Sequence, residues 1–257
     1  MCMNIYVCVK HVPDSAATIT IIGKNQIDEG VTFLLNPYDE NAVAEASGLR
    51  DRVEDSEMIA VTVGKEGALN TLQSALAMGA DRGLWVKTDD RLDSIMTARA
   101  LKAVIEQDGK PDIIFTGKES IDSEGMQTMY RLGAVMDMPV ASNVVEFSLE
   151  NGRARLQCEM EAGIRQVLEM PLPCIIGAAK GLNTPKYPTF MDIRNARKKE
   201  VRQIDVQDLN LEKCAAGMEI IELRPAVENR QARELKGSPQ DMVKQLVEVL
   251  RQEAKVI

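Results

Sequence analysis

The chain has 257 residues, a formal net charge of −8 and 45% hydrophobic residues, long enough to bury a core in one large domain with an appendage. Its 31 Lys and Arg against 39 Asp and Glu exclude broad nucleic-acid binding, which needs a clustered basic excess to neutralise phosphates. No run approaches the roughly 20 apolar residues of a membrane span, and the opening MCMNIYVCVK lacks the basic stretch and cleavage site of a secretory signal, so a cytoplasmic protein without membrane insertion is expected.

In chain order, short apolar runs at 5–9, 59–63, 84–86, 113–116 and 174–178 read as buried strands. Between them, 40–52, 68–78, 93–107 and 124–136 carry apolar residues at helical spacing and suit crossover helices. The alternation predicts a doubly wound α/β fold with a mostly parallel, Rossmann-like sheet. Residues 142–170 break that rhythm with two strands around the turn signal Asn151-Gly152, an antiparallel addition. After about Thr184, Pro185 and Pro188 interrupt regular structure ahead of a basic segment, and a last helix over 239–252 gathers Met242, Leu246, Val249 and Leu250 near one face. The expected organisation is a nucleotide-binding α/β domain over 1–183 and a loop with a C-terminal arm over 184–257.

Nothing announces independent catalysis. There is no GxSxG elbow, no HExxH and no other metal-ligand spacing, and the lone His11 reads as a hydrogen-bonding residue rather than a base. Five cysteines, Cys2, Cys8, Cys158, Cys174 and Cys214, never form a CxxC pair and read as reduced thiols. In an open parallel sheet the ligand crevice lies beyond the carboxyl ends of the strands. Cys8 closes the first strand, Val63 the second, and Gly117 follows the strand at 113–116. Asn36, Pro37, Tyr38 and Asp39 precede the first helix, where Asp39 is expected to cap the exposed amides. The strongest local site is Gly117, Lys118, Glu119, Ser120, Ile121, Asp122, Ser123, Glu124, Gly125, Met126, Gln127 and Thr128, which leads into a helix whose free N–H groups can receive a phosphate. Asp122 and Glu124 would repel that phosphate and must turn away from it. The basic residues Arg194, Arg197, Lys198 and Lys199 read either as a solvated helix end or as a docking surface.

Five blocks in order carry a resemblance: VCVKHVPD at 7–14, NPYDENAVAEA at 36–46, ALAMGADRG at 75–83, GKESID at 117–122 and GLNTPKYPTFMDIRNARKK at 181–199. Together they resemble the beta subunits of electron transfer flavoproteins. The resemblance implies a heterodimer with a larger alpha subunit that holds most of a redox-active FAD. Electrons then arrive from acyl-CoA-type dehydrogenases and leave to a quinone-linked oxidoreductase or another acceptor. It also implies an adenine nucleotide held by Cys8, Asn36 to Asp39, Val63 and Gly117 to Thr128, and a C-terminal arm wrapping the partner. One branch of the family holds AMP and another a second FAD that bifurcates electrons. KHVPD and NTPKYPT look like the bifurcating branch, whereas Met129 and Tyr130 replace its usual Gly and Pro, so AMP is the favoured ligand. In the same family the segment after the last sheet strand docks the dehydrogenase. Phe190 matches its anchor, with Pro185, Tyr187, Arg194, Arg197 and Lys198 around it; the bland alternative packs Phe190 inward. A non-redox AMP sensor and a stand-alone enzyme are the competing function classes.

Overall fold

The chain opens with strands β1 (Met3–Cys8), β2 (His11–Pro13), β3 (Ile21–Ile22), β4 (Gln26–Ile27) and β5 (Phe33–Leu35), followed by helix α1 (Pro37–Arg52). Then come β6 (Ser56–Gly64), α2 (Ala68–Ala77), β7 (Arg82–Lys87), α3 (Ser94–Asp108), β8 (Ile113–Gly117) and α4 (Thr128–Met136). Three long strands follow, β9 (Val140–Glu150), β10 (Arg153–Glu159) and β11 (Arg165–Pro171), then β12 (Cys174–Ala178), α5 (Phe190–Ala196), β13 (Val201–Asp205) and α6 (Pro239–Gln252). This computed structural model describes residues 2–209, 211, 217–226 and 232–257; Cys214 lies outside them.

Nine strands form one sheet in the order β11-β10-β9-β12-β8-β1-β6-β7-β13. From β12 to β13 every neighbouring pair is parallel. The chain runs from β1 outward through β6 and β7, then returns to place β8 on the other side of β1. Strand order therefore reverses between β1 and β8, the place where an open α/β sheet opens a crevice. Alternate residues explain why both faces are covered. Ile5, Val7, Met58 and Ala60 join Ala42, Val43, Ala46, Leu49, Leu72 and Leu76 of α1 and α2. Tyr6, Ile59, Val61 and Leu84 point the other way, to Leu101, Val104, Ile105 and Leu132 of α3 and α4. With a side-chain period of two, a strand buried on both faces must be nearly all apolar; the buried exception in β6, Thr62, donates its hydroxyl to the Val9 carbonyl at 2.9 Å. Each buried Leu or Ile contributes about 1.5–3 kcal/mol.

The antiparallel addition is a hairpin of β9 and β10 extended by β11. Asn151 and Gly152 turn it with φ of 51° and 72°, the left-handed pair a tight two-residue turn requires. Two differences from the sequence reading bear on the site. Helix α4 begins at Thr128 rather than at 124, because Glu124 and Met126 take φ of 46° and 50° and keep the chain out of the helical region. Past Thr184 the chain is also more regular than a loop and arm. Helix α5 starts on a reciprocal Thr189–Asp192 capping box, and β13 adds a parallel strand to β7.

The chain divides into two compact units, Met1–Ile221 and Glu222–Ile257. In the second, α6 begins at Pro239 behind the Ser238 cap and buries none of its residues. Among the described residues no helix is long and apolar enough to cross a membrane.

Candidate functional site: a clamp at the strand switch point

Asp39 does not cap α1. Pro37 fills the first helical position, and the N-cap residue Asn36 makes no side-chain cap bond either. Both side chains reach across to the sheet instead. Asp39 Oδ2 accepts from the Lys10 amide at 2.8 Å and Oδ1 accepts from the Gly117 amide at 2.9 Å. Those amides lie at the exits of β1 and β8, so one buried carboxyl ties together the two strands that flank the switch point. Burial pushes the Asp39 carboxyl up to about 7, against the downward pull of the two amides, the Asn36 side chain and the Lys10 charge. Gly117 is required here: a Cβ on it would collide with the Asp39 carboxylate and lie 2.7 Å from Tyr38 Cβ.

Asn36 extends the clamp to the next residues. Its Nδ2 donates to the Glu119 carbonyl at 2.8 Å and its Oδ1 accepts from the Ile121 amide at 3.2 Å, so the side chain substitutes for a neighbouring strand. The Lys10 ammonium then latches the outer turn, donating to Asp122 Oδ1 at 2.7 Å, Asp122 Oδ2 at 2.8 Å and Ser120 Oγ at 3.0 Å. Burial alone would raise the Asp122 carboxyl, but the Lys10 charge and the hydrogen bonds from Lys10 and Ser120 together outweigh it and hold the group below its ordinary range. Asp122 is thus neutralised by a cation rather than aimed at an incoming phosphate. Lys118 sits 5.1 Å over the Tyr38 ring and 3.0 Å from Glu119 Oε1.

Ser123, Glu124, Gly125 and Gln127 are exposed, with Met126 and Thr128 partly so. Apart from the Glu124 amide, which donates to the Ser120 carbonyl at 2.9 Å, no hydrogen bond among the described residues joins 124–128 to the clamp. The N-cap of α4, Gln127, makes no side-chain cap bond, leaving first-turn amides without a side-chain acceptor. Met129 is buried, its sulfur 3.8 Å from Thr116 Oγ1, while Tyr130 is exposed and bonded to Ser142 Oγ at 2.6 Å. The Cys8 thiol, pushed up to about 12 by burial and by Asp39, is unsuited to nucleophilic chemistry. Val63 lies one strand further along, at the exit of β6, and takes no part in the clamp. His11 stacks on Phe33 with centroids 4.6 Å apart, its Nδ1 2.7 Å from Thr71 Oγ1, and burial lowers its pKa: a structural histidine.

The basic loop stands apart from this site. Tyr187 is 90% and Phe190 79% exposed, and α5 buries only Ala196, so Phe190 does not pack inward. Arg194, Arg197 and Lys198 are exposed, and Pro185 and Pro188 are partly buried. Lys199 departs from the basic cluster: its ammonium turns in to donate to the carbonyls of Leu76 at 2.9 Å and Ala80 at 2.6 Å, at the end of α2.

Comparison with known proteins identifies the fold's family. The model of the electron transfer flavoprotein domain matches residues 25–209. Electron transfer flavoprotein subunit beta of Bacillus subtilis (strain 168) is 32% identical over 260 residues, covering 99% of this chain and 100% of that protein. The chain belongs to the electron transfer flavoprotein beta-subunit family. The subunit beta of Homo sapiens is 32% identical over 216 residues, 82% of this chain and 84% of its own. The mitochondrial subunit beta of Arabidopsis thaliana is 30% identical over 259 residues, 99% and 100%. Of the function classes weighed from the sequence, family membership supports the electron transfer flavoprotein subunit. Sequence reasoning missed the latch of Lys10 and the inward turn of Lys199. Only the position of Lys10, two residues past a strand end facing a Ser- and Asp-rich turn, could have signalled the first.

Proposed function

We propose that this beta subunit pairs with an alpha-type subunit, completes the environment of an FAD held mostly by that partner, and keeps AMP at residues 117–128. Phe190 then presents the carrier to an acyl-CoA-type dehydrogenase, and electrons pass on to a quinone-linked oxidoreductase or another acceptor. A cytoplasmic location accompanies this reading. The observation that carries it is the clamp at the switch point. Asp39, Asn36 and Lys10 immobilise Gly117 to Asp122 and leave the following turn and the start of α4 facing outward.

The residues present fit an adenylate. First-turn amides of α4 and the Thr128 hydroxyl supply donors for a phosphate, and of the two acids in the segment Asp122 is paired with Lys10 while Glu124 is exposed to solvent. The FAD supplies the redox chemistry when bound; this chain's residues orient, shield and dock. A second FAD in place of AMP is the alternative, favoured by the burial of Met129, which removes one of the two bulky residues that would crowd it. Tyr130, exposed at the helix entry, supports AMP.

Two experiments test this reading. Expressed alone, the chain should lack tight FAD, and coexpression with its alpha subunit should give a yellow complex; a lone chain binding stoichiometric FAD would refute the shared site. In that complex Thr128→Val should weaken nucleotide retention by about 1–3 kcal/mol through loss of a hydroxyl at nearly constant volume. Unchanged nucleotide content after extensive dialysis would place the site elsewhere.

A further inference from the structure

The docking loop has a fastening that the five sequence blocks do not assign. Between Ala178, the end of β12, and Phe190, the start of α5, the chain forms no helix or strand. Beyond the Ala179 amide, which donates to the Val144 carbonyl at 3.0 Å, its carbonyls and amides lack a ladder to fix them. What holds the base of this stretch is a reciprocal pair of asparagines. Asn41 Nδ2 donates to both the Asn183 carbonyl and Asn183 Oδ1, each at 3.1 Å. Asn183 Nδ2 in return donates to the Asn41 carbonyl and to Glu45 Oε2, each at 3.0 Å. Asn41 is 5% exposed and sits two residues after Asp39 on the same helix. Both functions of the Asn183 amide are used, and no other side chain supplies a donor pair and an acceptor in that geometry. An aspartate there would keep one acceptor, lose both donations and face Glu45 with a like charge.

We propose that Asn183 is a positioning residue for dehydrogenase docking. Through Asn41 it fixes the start of the stretch 184–190 on α1, so that, with α5 holding its other end, Phe190 is held out before a partner arrives. The inference rests on the docking reading given above. Its physical basis is preorganisation: a loop already fixed at its base loses less conformational freedom when its tip enters a pocket. Leu182, packed against the core beside it, secures the chain on the other side. The stretch from Asn183 to Phe190 contains Pro185 and Pro188, which restrict the backbone further. Helix α5 holds the far end of the stretch through Ala196 and Lys199, so loss of the asparagine pair frees its near end.

The test uses the assembled heterodimer with Asn183→Ser, Asn183→Asp, Asn41→Ala, the Asn41→Ala/Asn183→Ser double variant and Phe190→Ala. A purified acyl-CoA dehydrogenase with its acyl-CoA substrate serves as electron donor, and dithionite as a small reductant that needs no docking. Asn183→Ser should raise the KM for the carrier about three- to ten-fold with kcat little changed, and Asn183→Asp at least as much. Reduction by dithionite and flavin content should stay at wild-type values. The double variant should be no worse than the poorer single one, since both break the same clamp. Should Asn183→Ser fail to assemble, Asn183→Gln, which keeps both amide functions one methylene out of place, gives the same reading. If Phe190→Ala raises KM while the asparagine variants do not, the clamp is overturned and the docking loop stands. If Phe190→Ala also leaves KM unchanged, the docking reading fails and takes the role of the clamp with it.

Discussion

Replacing Asp39 by asparagine probes the clamp at its centre. Two backbone amides converge on this side chain, one on each carboxylate oxygen. The Asp39→Asn side chain offers one oxygen and one NH2 group, so one amide faces a donor and loses its acceptor, at a cost of about 1–3 kcal/mol. That loss depends on pH with a definite sign. Burial raises the Asp39 carboxyl from 3.8 to about 7 in the folded chain, so the folded state holds its proton over a range where the unfolded state does not. The resulting stability is fully present below about pH 4 and is lost as pH rises through about 7; integrated over one site, wild type loses roughly 2 kcal/mol between pH 5 and pH 7. The variant has no such proton, and groups common to both cancel in the difference. Urea unfolding at fixed protein concentration, at pH 5, 6 and 7, should therefore show a wild-type advantage that shrinks by about 2 kcal/mol across the series. A gap independent of pH would mean that Asp39 is ionised throughout, and would refute burial as the dominant influence on it.

Gly117→Ala should displace the Asp39 carboxylate and destabilise the fold by about 1–3 kcal/mol, with faster nucleotide loss from the complex; a wild-type melting midpoint and wild-type retention would show that the strand exits relax freely. Lys199→Met should lower stability by about 1 kcal/mol through loss of two charge-assisted bonds to the end of α2, while leaving the salt dependence of dehydrogenase reduction as in wild type. A changed salt dependence would return Lys199 to the docking surface.

The layered sheet was legible because its central strands are apolar on both faces and its crossover helices repeat with helical period, as in 5–9, 59–63 and 113–116. The edge was less so. β13 offers only Val201 and Ile204 between polar residues, and it is a strand because β7 supplies a partner edge. The start of α4 was misplaced because Glu124, Met126 and Gln127 have acceptable helix propensity, whereas Glu124 and Met126 take left-handed backbone in a turn where the Glu124 amide donates to the Ser120 carbonyl. At the site, segment identities could be read from chain order, and individual roles could not. Asp39 sits where caps sit, yet Pro37 and the neighbouring strand exits give its carboxylate better donors than its own helix. The Asn41–Asn183 pair is separated by 142 positions in the chain, and no local pattern relates such residues.

The proposed role gives this subunit an adenine nucleotide of its own beside a shared flavin. The most direct test is to denature the purified heterodimer and quantify the released flavin and adenine nucleotide per complex by chromatography. One FAD and one AMP are predicted, with the AMP lost selectively in Thr128→Val. Two FAD would replace AMP by the second flavin at the same residues, and one FAD with no further nucleotide would contradict the assignment of residues 117–128 as a nucleotide site.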